Sequence, residues 1–278
     1  MAQDNFWLEL LKVLADGMAA ASESAVRAKI GSEDWLARHA PARLKEIHNL
    51  HTIASRIQDG QETQLIVLSV DIRRSTMLMK EAISAKEHAS ILNQFIERAS
   101  QAVRALDGWF DKFMGDGFLA YWVCEPGYEA AAVARALAAS RQVQEAFASS
   151  CLPRFKANSR NWPAEVGISS GLDAGPGHLV VMADGLTIIG APIVGAVRMV
   201  STAQGGEAVA NVQFQRMMAA ARHPGVRVVN EERKTKEYAN QLVAVLHFDG
   251  TPPPLPAWPM PLPPPPTPPA KQLPTGGR

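Results

Sequence analysis

The chain has 278 residues and a formal net charge of +1, with 47% hydrophobic and 20% charged residues. This composition is typical of a folded soluble protein with a sizeable core, and the balanced charge does not indicate a nucleic-acid binder with a basic surface. Two cysteines, no basic N-terminal start and no apolar run near the roughly 20 residues of a membrane helix lead us to expect a reducing cytoplasmic setting, without a signal peptide or membrane span.

Residues 1–60 are predicted to form a helical N-terminal extension. Apolar residues recur at helical spacing from Phe6 to Leu14, and again from Trp35 to Ile57. We expect the extension to serve packing or dimerisation. A peripheral membrane anchor is the alternative, although the polar face is not strongly basic.

The central region alternates between strands and helices. The predicted elements are a strand at 64–70, a helix at 80–106, strands at 109–113 and 118–123, a helix at 127–149, strands at 165–172 and 178–182, a helix at 191–204, a strand at 207–210, a helix at 211–222 and strands at 225–229 and 242–248. The first six follow the order strand, helix, strand, strand, helix, strand, which predicts an α+β, ferredoxin-like fold.

The last segment, Thr251–Arg278, has a different composition. Thirteen of the 23 residues from Pro252 to Pro274 are proline. Proline interrupts helices and central strands, so we expect a disordered, polyproline-like tail over 251–278. It is either solvated or a docking peptide for an aromatic groove.

Two carboxylates in the central region are candidate metal ligands. Asp71 follows the strand predicted at 64–70 and precedes a turn whose backbone N–H groups can face phosphate oxygens. Asp116 lies at the tip of the hairpin predicted over 109–123. Either residue alone is explained by capping or turn chemistry. If the hairpin pairs beside the Asp71 strand, the two carboxylates converge as ligands of two divalent cations.

Four sequence blocks together resemble the class III adenylate/guanylate cyclase homology domain, over residues 63–248. The blocks are Ser69–Thr76, Lys112–Asp116, Val166–Gly171, and Ile188–Gly190 with Arg198–Met199. The resemblance implies a homodimer with active sites at the subunit interface. It also implies two Mn or Mg ions bound by Asp71, the Ile72 carbonyl and Asp116.

The same resemblance suggests roles for other residues. Arg198 matches the family's arginine that stabilises the transition state, where a planar guanidinium suits a charged phosphoryl group. Lys112 and Thr187 fall at the positions of the base-recognition pair, and lysine with threonine occurs in some bacterial adenylate cyclases. Ser75 and Thr76 belong to the phosphate-facing turn.

Two positions are less regular. Lys236 falls near a phosphate-contacting lysine of the family, with a solvated charge run as the alternative. Val194 stands where the family usually has an asparagine that orients the ribose. This departure puts conventional purine-nucleotide geometry in doubt.

The chain is short, has a helical N-terminal piece and carries the metal loop Asp71–Thr76, which reads Asp-Ile-Arg-Arg-Ser-Thr. In these features it is similar to the stand-alone pyrimidine cyclases of bacterial Pycsar antiphage systems. That resemblance implies conversion of UTP, or of CTP, to a cyclic monophosphate that activates a downstream cyclic-nucleotide-binding effector; we favour UTP. The alternatives are a bacterial adenylate cyclase, a catalytically inactive cyclase-homology module that binds nucleotide or dimerises, and a scaffold protein acting through its proline tail.

Overall fold

The computed structural model describes residues 60–182, 185–221, 225–235 and 240–250, together with residues 53, 54, 56, 57, 223 and 255. Most of the predicted N-terminal extension, nearly all of the proline-rich tail and Lys236 lie outside the described residues, so those predictions stand as made. No helix in the described part is both long enough and apolar enough to span a membrane.

The described residues form one mixed sheet with helices packed on it. In chain order the elements are β1 (Glu62–Arg73), α1 (Ser75–Glu81), α2 (Ala85–Ala105), β2 (Trp109–Met114), β3 (Gly117–Cys124), α3 (Glu129–Ala146), a π-helical turn (Phe147–Cys151), α4 (Leu152–Ala157), β4 (Gly167–Met182), β5 (Gly185–Gly190), α5 (Ala191–Thr202), β6 (Ala208–Ala210), α6 (Val212–Ala221), β7 (Val226–Arg233) and β8 (Gln241–Phe248).

The strand order is β2-β3-β1-β4-β6-β8-β7, with β5 paired to β4 off this path. Only the β4–β6 pair is parallel within this described sheet. The first four strands and their two long helices give the ferredoxin-like arrangement, so the predicted α+β fold class is confirmed. Strand β1 lies between β3 and β4, which explains its run of buried, largely β-branched residues.

Each face of the sheet has its own hydrophobic core. Side chains alternate along β1, so Ile66 and Leu68 pack under α2, α3 and α6, while Leu65 and Val67 face the opposite side. On that second side they meet β5, α5 and the helical residue Ile53. The second side is the one that carries the candidate site.

Two element predictions were wrong in detail, and one strand was missed. The strands predicted at 165–172 and 178–182 are one continuous strand, because residues from Asp173 to Gly177 pair with β1 despite their turn-like composition. The helix predicted at 80–106 is divided, and α2 starts after Ser84, whose side chain accepts a hydrogen bond from the Glu87 N–H. Strand β5 was not predicted.

Candidate active site

Asp71 lies near the end of β1, on the second side of the sheet. It continues the row of Leu65 and Val67, three and two alternations earlier, and pairs with Ser169 of β4. Its side chain is 36% exposed. The adjacent Ile72 is buried in the first core. Strand β1 therefore fixes a carboxylate at the sheet edge while anchoring the backbone on either side of it.

Asp116 is carried to the same edge by the β2–β3 hairpin. Val70 pairs with Phe118, so the turn that precedes Phe118 lies beside Asp71. The turn fits closely, because a Cβ added at Gly117 would overlap the backbone carbonyl of Val70. Asp116 Oδ2 is buried without a hydrogen-bond partner among the described residues. A buried carboxylate oxygen with no donor is suited to bind a cation.

The two carboxylates interact electrostatically. Burial raises the pKa of Asp71, the negative charge of Asp116 raises it further, and Arg73 lowers it. The guanidinium of Arg73 lies 3.7 Å from Asp71 Oδ2. The negative charge of Asp116 therefore opposes ionisation of Asp71, and divalent cations would relieve that repulsion. The two carboxylates fit the predicted metal site.

Asp71 and Asp116 are not part of a larger group of potential metal ligands among the described residues. Within the described ranges, no group of three or more His, Cys, Asp or Glu side chains is arranged to bind a metal. Asp71, Asp116 and the backbone carbonyl of Ile72 therefore stay the predicted ligands. Remaining positions on the ions would be open to substrate oxygens and water, as two-metal phosphoryl-transfer sites require.

The segment after Asp71 is held firmly against α5. Arg73 donates hydrogen bonds to the carbonyl oxygens of Val200 and Ala203. Arg74 adopts a left-handed backbone conformation with φ of 64° and starts α1. Ser75 and Thr76 are the first two residues of that helix. Their predicted contact with phosphate stays a prediction.

Lys112 and Thr187, far apart in sequence, are in contact. The β4–β5 hairpin folds over the second side of the sheet, and Lys112 Nζ donates a hydrogen bond to Thr187 Oγ1 at 3.1 Å. Directly beside them lies Asp111, whose side chain is 1% exposed and whose Oδ2 is 3.4 Å from Lys112 Nζ. The predicted pair is thus assembled within one subunit.

Sequence reasoning missed Asp111. Asp111 directly precedes the block Lys112–Asp116, but nothing in the local sequence pattern shows that its side chain is buried. The signal was the bulge between Phe110 and Lys112, which breaks the strand alternation and became visible only once β2 was paired with β3.

Arg198 and Val194 lie one turn apart on α5. Val194 is 48% exposed, and its apolar side chain provides no hydrogen-bonding group at that position. Arg198 is half-buried. Packing of α5 onto β4 is close at Gly195, where an added Cβ would overlap the carboxylate of Asp173. Helix α5 therefore packs closely on β4 one turn before Arg198, whose predicted role stays a prediction.

Solved structures with similar folds are cyclase domains. The adenylyl cyclase CyaB from P. aeruginosa has a TM-score of 0.57 and 21% identity, with 66% of this chain and 94% of that chain covered. The guanylyl cyclase Cya2 has a TM-score of 0.58 and 20% identity, with 70% of this chain and 98% of that chain covered. The guanylate cyclase domain of RhGC from Catenaria anguillulae, in complex with GTP, has a TM-score of 0.55 and 16% identity, with 68% of this chain and 100% of that chain covered. No family model and no curated protein matches the chain. The described part of this chain has the class III adenylyl/guanylyl cyclase fold.

Proposed function

We propose that this protein is a nucleotide cyclase that converts a nucleoside triphosphate to a 3′,5′-cyclic monophosphate and pyrophosphate. The observation that carries the proposal is the convergence of Asp71 and Asp116 at one sheet edge in a cyclase fold. In this reaction the ribose 3′ oxygen bonds to the α-phosphorus, and the bond from that phosphorus to the pyrophosphate oxygen breaks.

The chain's own residues would act by positioning and by electrostatics. Asp71 and Asp116 would hold two Mg or Mn ions, which when bound lower the pKa of the attacking hydroxyl and neutralise the leaving pyrophosphate. The first turn of α1, at Ser75 and Thr76, would face the phosphates. Arg198 would donate to the phosphoryl oxygens as charge develops on them.

The active protein would be a homodimer with composite sites. Asp71 and Asp116 of one protomer would meet the Lys112–Thr187 pair and Arg198 of its partner. Large apolar side chains are exposed near these groups, including Phe113 at 51%, Ile189 at 47% and Val194 at 48%, and such side chains suit a protein interface. The full reaction would therefore need two copies of the chain.

The substrate would be a pyrimidine nucleoside triphosphate, with UTP favoured. Val194 removes the polar contact that purine cyclases use for the ribose, and Lys112 can donate to a uracil carbonyl oxygen. By the resemblance described above, cyclic UMP would then serve antiphage defence through a binding effector. An adenylyl cyclase is the second candidate, because the Lys112–Thr187 contact equally suits adenine.

The test is to incubate the purified full chain with Mn and each of the four nucleoside triphosphates separately, and to identify the products by chromatography. We expect cyclic UMP to form faster than cyclic AMP at equal substrate concentration. Cyclic AMP formed at an equal or higher rate would replace the pyrimidine assignment with the adenylyl cyclase. A product set without any cyclic nucleotide would contradict the cyclase proposal itself.

A further inference from the structure

A buried carboxylate lies behind the Lys112–Thr187 pair. The bulge in β2 turns the Asp111 side chain inward, and only 1% of it is exposed. Its Oδ2 forms an ion pair with Lys112 Nζ at 3.4 Å, but neither carboxylate oxygen accepts a hydrogen bond of normal geometry from the described residues. Buried polar atoms are almost always hydrogen-bonded, so an exception of this kind calls for an explanation in function.

The groups around Asp111 are few and polar. Burial raises the pKa of Asp111, while the hydroxyl of Thr187 and the ammonium of Lys112 lower it. Tyr121 is near enough for the charge of Asp111 to add to the effect of burial in raising the pKa of Tyr121. Its hydroxyl is also buried without a partner in the described part of the chain. The ring of Tyr121 stacks on Trp109, with centroids 6.1 Å apart and an interplanar angle of 4°.

The Asp111 carboxylate limits the hydrogen bonds that the Lys112–Thr187 pair can offer to a ligand. A threonine hydroxyl has one hydrogen and two lone pairs. One lone pair of Thr187 already accepts from Lys112. If the hydroxyl hydrogen points to the Asp111 carboxylate, only a lone pair remains for a ligand. Thr187 would then act as an acceptor, and Lys112 would keep a free N–H as a donor.

A donor and an acceptor in fixed order discriminate between nucleobases. On the Watson–Crick edge, cytosine presents an exocyclic donor beside a ring acceptor, and uracil presents an exocyclic acceptor beside a ring donor. Adenine and guanine differ in the same way. Lys112 can only donate, so the polarity of Thr187 decides the second contact: held as an acceptor it meets only a donor of the base, whereas a freely rotating hydroxyl also meets an acceptor.

We propose that Asp111 is a positioning residue that fixes the hydrogen-bond polarity of the Lys112–Thr187 pair and thereby sets which nucleobases the site accepts. This inference rests on the proposed cyclase function and adds to it a determinant of base selection. It assigns Asp111 no contact with the substrate.

The test compares UTP with CTP, because these bases share ring size and differ in edge polarity. In wild type, one of the two should be cyclised with the higher kcat/KM. Asp111→Asn keeps the side-chain shape, removes the charge and replaces one acceptor oxygen with an NH₂ donor, so the Thr187 hydroxyl is no longer held in one orientation. We expect the UTP:CTP ratio of kcat/KM to move towards unity by about tenfold or more, since sites with buried polar requirements discriminate strongly.

The second variant removes the Thr187 hydroxyl itself. Thr187→Val should lose base discrimination to a similar extent, and adding Asp111→Asn to it should change the ratio no further. Asp107→Asn is the matched control. Asp107 is also a buried aspartate, but its ion-pair partner is Arg135, with 2.9 Å between Arg135 Nε and Asp107 Oδ2. That control should lower the Tm and leave the ratio unchanged.

The outcomes separate cleanly. Parallel loss of kcat/KM for both substrates in Asp111→Asn, at an unchanged ratio, would mean a purely structural role and would overturn the inference. If Asp111→Asn does not fold, an unchanged ratio in Thr187→Val overturns it equally. A wild-type protein that cyclises no triphosphate would instead refute the proposed function.

Discussion

Replacing Gly117 by alanine should disable the site while leaving most of the fold in place. An added Cβ would lie well inside 3.0 Å of the Val70 carbonyl oxygen and 3.3 Å from Asp71 Cα, and both contacts are with backbone. Normal C···O separations are about 3.3–3.6 Å, so the hairpin turn must move away from β1 by about 1 Å. That movement carries Asp116 away from Asp71.

Gly115→Ala is the matched control for this substitution. Gly115 is in the same turn, next to Asp116, and a Cβ there would meet no atom within 4 Å. Its φ of 75° makes alanine strained by about 1–2 kcal/mol. Both variants therefore lose some stability, but only Gly117→Ala displaces the carboxylate.

The assay is initial rate of cyclic-nucleotide formation with Mn, alongside a thermal melt of each variant. A misplacement of about 1 Å at a catalytic group can lower the rate by 10²-fold. We expect kcat/KM to fall by about that factor in Gly117→Ala and by less than tenfold in Gly115→Ala. Equal activities in the two folded variants would refute the inference that close packing of this hairpin sets the distance between the carboxylates.

Three further predictions follow from the site and its supports. Mixing inactive Asp116→Ala with inactive Arg198→Ala subunits should restore some activity, because a heterodimer rebuilds one composite site; no recovery despite demonstrated subunit exchange would contradict the composite site. Burial raises the pKa of Asp173 to about 7, so the stability gained from its neutral form is complete below about pH 4 and is lost as the pH rises towards 7. The Tm of wild type should accordingly fall relative to that of Asp173→Asn between pH 5 and pH 8, and a constant difference would count against this assignment. Gly195→Ala should destabilise the fold by about 1–3 kcal/mol through overlap with Asp173, as measured by urea unfolding, and by clearly less in an Asp173→Ala background.

The arrangement of the first six elements could be predicted from sequence because each carries a clear local signal. The run before Asp71 is dense in β-branched residues, and the glycines on either side of Asp116 indicate a tight turn. Pairing of the hairpin with β1 was a condition of the metal-site hypothesis, and the structure shows that pairing. The roles of the site residues stay predictions.

Other features depend on tertiary contacts that no local pattern records. The segment from Asp173 to Gly177 has turn composition, yet pairing with β1 keeps it extended. Burial of Asp111 results from a bulge in β2 and from a hairpin that folds across the sheet, some 75 residues later in the chain. Neither arrangement can be inferred from residues near Asp111 alone.

The central claim is that Asp71 and Asp116 act together in cyclisation, and one measurement tests it most directly. The rate of cyclic-nucleotide formation at saturating Mn should be compared for wild type, Asp71→Asn, Asp116→Asn and the double variant. We expect each single variant to lose about 10³-fold or more and the double variant to lose little beyond that, because residues acting as one unit are not additive. A folded single variant that keeps its rate within tenfold of wild type would contradict the claim.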